Sequence, residues 1–265
     1  MRLLALLLLL IHTLLIVIGR AQTAPADTVR PGHSPLQTGW LKPGLRQYLV
    51  YFQDPKQSKT LRFWYWMRDI EMENRGGTQC FTISQQWLGA DTTAYRSVYS
   101  VNAAADFAPV YHRETVAGKI GAYNWNAGGV TGADSVEGNA RKAFNLAFTE
   151  PNYNWNLDIE TFEMLPLAKG KSFWINFYDA GLDPPAYYLY TVTGSEELAL
   201  MNGDRVDCWK LAHEGENKGM KYTEIFWISK KGHEFLKEED SFNGMYRYKI
   251  KMPGMTQDLR ERFPR

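Results

Sequence analysis

From Arg46 onward, large apolar residues recur at every second position in a series of short segments: RQYLVYF, TLRFWYWMRDIEME, TQCFTISQQWL, YRSVYSV, APVYHRET and GKIGAYNW. A period of two belongs to a strand, whose successive side chains point to opposite faces. Short connections such as Gly76-Gly77 between these segments predict an antiparallel meander. The pattern resumes in KSFWINFYD, AYYLYTVTG, EELAL and RVDCWKL, with Asn202-Gly203 marking a hairpin, and closes in a three-stranded meander over residues 222–252. In that last stretch Asn243-Gly244 suits a two-residue type I′ turn, which needs positive φ at both central positions. In the strand after it, alternation assigns Tyr246, Tyr248, Ile250 and Met252 to the interior face. Arg247, Lys249 and Lys251 are assigned to solvent.

One segment breaks the period. In LDIETFEMLPL, Leu157, Phe162 and Leu165 fall at helical spacing, Asp158 is the expected N-cap, and Pro166 ends the run. The prediction is a short helix near 158–164, packed against the sheet. Residues 126–157 are rich in Gly and Asn and read mostly as loops, the places where function often resides, with AFNLAF as a candidate strand.

The fold class that follows is mainly β: a large antiparallel curved sheet, barrel-like or sandwich, with one short helix against it. Residues 46–252 form this domain. Residues 22–45 carry Pro25, Pro31, Pro35 and Pro43 among Gly, Ser and Thr, and read as a linker. Residues 253–265 are a C-terminal tail.

The first residues set the compartment. Arg2, the apolar run Leu3 to Ile18 and the small-x-small site Gly19-Arg20-Ala21 have the form of a signal peptide over residues 1–21. An uncleaved anchor is the rival reading, since the apolar run is about as long as the shortest spanning helices. Export to the periplasm or outer cell envelope of a bacterium is expected. Without residues 1–21 the chain keeps 28 basic against 29 acidic residues, so no basic excess favours nucleic acid.

Chemistry is sparse in the sequence. Gly170-Lys171-Ser172 imitates the end of a phosphate loop, but Leu165 stands where the first Gly belongs. There is no H-E-x-x-H, no C-x-x-C and no G-x-S-x-G, so no catalytic residue, metal or cofactor is expected. His112, beside Arg113 and Glu114, reads as a member of a surface pair. The acids Asp158, Glu160 and Glu163 suit the first turns of a helix by its dipole. Export makes a Cys80–Cys208 disulfide available. Two buried free thiols are the favoured reading, because mid-strand cysteines bond only when their registers match.

The unusual feature is the aromatic load, with 15 Tyr, 13 Phe and 9 Trp in 265 residues. In LRFWYWM, Phe63 and Tyr65 face one way and Trp64 and Trp66 the other; FWINFY repeats this with Phe173, Ile175 and Phe177 against Trp174 and Tyr178. Rings on both faces mean that neither is fully solvated. One reading is a packed core with a helix lid; the other is a concave sheet around an apolar ligand, with Tyr and Trp offering polar tips. For the second, the pocket candidates are Phe63, Tyr65, Trp174, Tyr188, Tyr190, Trp227 and Tyr248.

The order of features from Asp158 onward resembles an exported bacterial family, domain of unknown function 3108. The resemblance is carried by the short helix ending in LPL, a Gly before the next strand, the Gly194-x-Glu196 step and the strand containing Trp227-x-Ser229. It implies a large antiparallel, barrel-like sheet in the cell envelope, reminiscent of the half-barrels of lipoprotein carriers, and carries over no catalytic residue. The resulting expectation is a non-catalytic envelope protein that binds lipid or a lipoprotein's acyl chain within the sheet. The rival is a structural or adaptor domain with an envelope protein as partner and no small ligand.

Overall fold

A computed structural model describes residues 25–54, 62–89, 95–254 and 258–259. The segment expected to be a signal peptide lies outside them. Within them the strands are β1 (Asp27–Val29), β2 (Gly44–Gln53), β3 (Arg62–Arg75), β4 (Thr78–Leu88), β5 (Arg96–Ala103), β6 (Pro109–Val116), β7 (Lys119–Asn126), β8 (Gly129–Gly132), β9 (Asn145–Ala147), β10 (Tyr153–Asn154), β11 (Ser172–Tyr178), β12 (Ala186–Ala199), β13 (Arg205–Asn217), β14 (Met220–Ser229), β15 (Phe235–Phe242) and β16 (Met245–Lys251). The helix α1 spans Asp158–Glu163.

All the described strands join one sheet, in the order β1-β11-β12-β13-β14-β15-β16-β2-β3-β4-β5-β6-β7-β8-β9, with β10 also on β11. This is a single barrel-like sheet and not a sandwich of two. It is mixed, because β1 and β10 run parallel to β11 while every other pairing is antiparallel. The two β-rich halves meet where β16 pairs with β2. The path does not close: β1 and β9 remain edges. Its two ends nevertheless approach, since Trp125 of β7 lies 5.4 Å from Tyr178 of β11, ring to ring.

The turns follow their chemistry. Asn243 and Gly244 have φ of 49° and 76°, the signs a type I′ turn requires. That turn sets Phe242 opposite Met245 and so fixes the register of β15 on β16.

Three expectations are corrected. The Pro-rich segment is not merely a linker: β1 pairs with Phe173–Ile175, and Val29 and Leu41 are buried in the main core. Prolines between short apolar anchors do not prevent packing when each anchor finds its own slot. Asp158 is not the helix cap. A 3-10 turn, Trp155–Leu157, precedes α1, and the Asn154 side chain accepts from the Asn156 N–H to cap that turn. His112 is no surface residue but 1% exposed. Its Nδ1 lies 2.9 Å from the Asn154 amide nitrogen and 3.0 Å from the Ser100 hydroxyl, and burial, with Arg96 second, pulls the imidazole down to about 3.

The main core lies on the concave face, around α1. Phe162 packs on Tyr190 of β12 at 4.6 Å and on Phe226 of β14 at 4.8 Å, and Phe177 of β11 is 6.1 Å away. On the other flank Glu160 is ion-paired to Arg68 of β3 and Glu163 to Arg46 of β2. A helix of six residues thus touches strands from β11 round to β3. Only a sheet wrapped around it permits this.

Candidate functional site

The register settles which side chains face inward. Tyr48 and Val50 of β2 belong to the core and stand opposite Trp66 and Trp64 of β3, so the concave face of β3 is Trp64, Trp66, Arg68 and Ile70. Carried across the sheet, the same parity turns Trp87 and Gln85 inward on β4, Arg96 on β5, Glu224 on β14, Glu238 and Asp240 on β15, and Arg247 and Lys249 on β16.

The face assignment of β16 is therefore the reverse of the expected one. Lys249 is 7% exposed and contacts Glu238 at 2.5 Å, and Arg247 is paired with Asp240 and with Glu238 at 3.1 Å. Tyr246 and Tyr248 lie outside, where Tyr248 stacks on Tyr51 of β2 at 5.0 Å. Buried carboxylates on β15 hold the cations in; the rings outside are shielded by one another and by the Lys237 ammonium, 5.6 Å from the Tyr248 centroid.

The structure does not bring the seven ring candidates together. Phe63 and Trp174 are outward and 40% and 42% exposed. Tyr65 sits in an outer cluster with Met67 and Leu88, covered by Tyr95, Met252 and Leu259. Trp227 sits in another with Cys208 and Leu236, with the Lys237 and Lys210 ammonium groups 4.3 and 5.3 Å from its ring. Only Tyr188 and Tyr190 face inward, and both are packed: Tyr190 against Phe162, Tyr188 against Trp155 at 4.2 Å. Cys80 and Cys208 are free and buried, on β4 and β13, which are well separated in the sheet. Burial pushes the Cys208 thiol up to about 11, which leaves it inert as a nucleophile.

What the concave face does carry, beside α1, is a cavity of about 270 Å³. Its walls hold three rings (Trp66, Trp87, Trp155), four cations (Arg68, Arg96, Arg247, Lys249), four acids (Asp158, Asp179, Glu224, Glu238) and the amides Gln85 and Asn156. The 3-10 turn before α1 supplies Trp155 and Asn156, whose carbonyl accepts from the Gln85 amide at 2.7 Å. Asn156 also donates to Asp179 at 2.9 Å, and its side-chain oxygen accepts from Arg96 at 2.6 Å. A larger, shallower groove of about 460 Å³ runs past Leu88, Tyr95 and Thr115, but Arg96 is the one charged residue on its walls among the described residues.

Electrostatics divide the two signs. Every cation on the cavity wall has a carboxylate: Arg68 has Glu160, Arg96 has Glu114 at 3.0 Å, and Arg247 and Lys249 share Glu238. The acids are in surplus. Burial and then Glu238 push Glu224 up to about 7, and burial and then Glu238 push Asp240 up to about 8. Burial also raises Asp158 and Asp179. Glu238 goes the other way, because Lys249 and Arg247 outweigh its burial. Burial pulls the Arg68 guanidinium down to about 10. One local signal points to this arrangement: with the Asn243-Gly244 turn setting the register, Glu238 and Asp240 fall opposite Lys249 and Arg247.

Fold and site together define a class, a barrel-like β domain whose curved sheet encloses its own helix and a charged cavity. The sequence profile of the family described as protein of unknown function (DUF3108) matches residues 47–251, and the chain belongs to that family. Among solved structures, the chain is similar to the "Beta-barrel-like Protein of Domain of Unknown Function DUF1849 from Brucella abortus", at 13% identity and a TM-score of 0.50 over 80% of this chain and 96% of that one. At that identity the likeness speaks for the fold alone. No curated protein matches the chain.

Proposed function

We propose that the protein is a non-catalytic, exported cell-envelope domain that holds a small polar ligand in the charged cavity of its curved sheet. The observation that carries this reading is the lining of that cavity: converging rings, guanidinium groups and carboxylates are how proteins orient a small ligand. The same lining argues against an acyl chain there, since an apolar chain would strip water from eight charged side chains and repay none of them. The apolar part of the interior is already filled by Phe162, Leu157 and Ile159 of the helical segment.

The adaptor reading keeps one observation in its favour, the outward rings Phe63 and Trp174, which are large and exposed. Native mass spectrometry of the protein purified gently from a cell envelope separates the two. The expected result is an adduct of a small polar molecule. A diacyl lipid adduct would overturn the polar-ligand reading, and bare protein under all conditions would favour the adaptor.

A further inference from the structure

We infer that the cavity is a site for an organic cation, an alkylammonium or guanidinium group seated among Asp158, Asp179 and Glu224 beside the rings of Trp87 and Trp155. This rests on the proposal that the cavity holds a ligand, and it names the ligand's charge.

The first ground is the charge balance of the walls. All four wall cations are paired, with Glu160, Glu114, Glu238 and Asp240. Three wall acids are left over. Asp158 accepts only from the backbone N–H of its own neighbour Ile159, Asp179 only from the Asn156 amide, and Glu224 has neither hydrogen bond nor ion pair among the described residues. Behind Glu224, directly across the ladder, stands Asp240, 3% exposed, with one carboxylate oxygen that no donor satisfies. Asp158, Asp179 and Glu224 are half-buried, and carboxylates partly withdrawn from water with few donors are held at a cost. An incoming cation relieves that cost for several groups at once, whereas an anion would add to the surplus.

The second ground is the rings. Trp66 shows what this wall does with a cation: the Arg68 guanidinium lies 4.7 Å from its centroid and the Lys249 ammonium 5.3 Å. No cation of the described residues lies over Trp87 or Trp155, the two other indoles of the cavity. A desolvated cation is held more strongly over an indole face than over the other aromatic rings. Size agrees, because about 270 Å³ corresponds to roughly nine waters, room for a short-chain amine.

The test uses the purified protein and three probes of one shape and different charge: butylammonium, butanol and butyrate. Binding is followed by tryptophan fluorescence and ligand-observed NMR. Butylammonium is expected to bind at least tenfold more tightly than the other two. Glu224→Gln and Asp179→Asn should each weaken it about tenfold, while Lys237→Ala, on the outer face, leaves it unchanged. Both acid variants remove surplus charge, and a thermal melt confirms that they fold. Tighter binding of butyrate, weakened by Arg96→Gln, would overturn the cation assignment and leave the cavity a binding site. Amine binding indifferent to both acid variants would place the amine elsewhere and overturn the assignment too. Failure of all three probes to bind at tens of millimolar would remove both the cation and the ligand-holding cavity.

Discussion

The Lys249 ammonium is buried against the Glu238 carboxylate of β15. A strand reading MYRYKIK offers tyrosines and isoleucine on one face and cations on the other, and hydrophobicity alone sends the rings inward. The structure sends the cations inward because β15 supplies Glu238 and Asp240 to receive them. Truncating one partner of a buried ion pair strands the other, at a cost of about 3 to 5 kcal/mol. Lys249→Ala should therefore lose about that much in a urea titration. Tyr248→Ala, which gives up a half-exposed ring stack, should lose about 1 kcal/mol. Equal losses would return the tyrosines to the interior. Glu224 gives a second prediction, with a defined pH window. Its carboxyl is raised from 4.5 to about 7, so the folded protein keeps a proton that the unfolded chain has released. Stability is then fully present below pH 4.5 and is lost as pH rises toward 7. Lys249 and Arg247 oppose the shift while Glu238 and Asp158 support it, so the whole inward face sets its size. Glu224→Gln imitates the protonated form. The variant should match the native protein near pH 4 and exceed it by about 2 kcal/mol at pH 8, after allowance for partial solvent contact. A difference that does not vary with pH would mean that Glu224 titrates normally.

At the scale of elements, strands and turns were legible and their partners were not. Alternation and the Gly-containing turns locate most strands because period and positive φ are local properties. The helix was legible too, from Leu157, Phe162 and Leu165. The helix dipole accounts for acids in a first turn, but Glu160 and Glu163 are anchors for Arg68 and Arg46, residues about a hundred positions away whose proximity no local pattern encodes. The candidate cavity was illegible for the same reason. Trp66, Trp155 and Glu224 come from three elements that meet only after the sheet has curved. The seven ring candidates followed size instead of parity, and five of them point outward. β1 is the other element that composition concealed. Its three residues cover the backbone edge of Phe173–Ile175 and add Val29 to the core. A protein lacking residues 22–30 should have a lower thermal midpoint and should self-associate with rising concentration, because the uncovered β11 edge offers unpaired donors and acceptors. Light scattering coupled to gel filtration reads this directly. An unchanged melt and mass would mean that the segment is, after all, only a tether.

For the whole molecule, the pairing of β16 with β2 has a consequence in time. Tyr48 pairs with Lys251, so the first long strand of the domain is completed by β16, the last of the described strands in chain order. The hairpins β3–β4 and β14–β15 form from neighbours in the chain. The seam between the halves must wait for β16, and closing so long a loop is slow. Until then Arg46 and Arg68 lie in one half while Glu160, Glu163 and Glu238 lie beyond it, each half carrying charges whose counterparts have yet to arrive. The enclosed interior is therefore the product of two halves, and it is complete only once β16 has paired with β2.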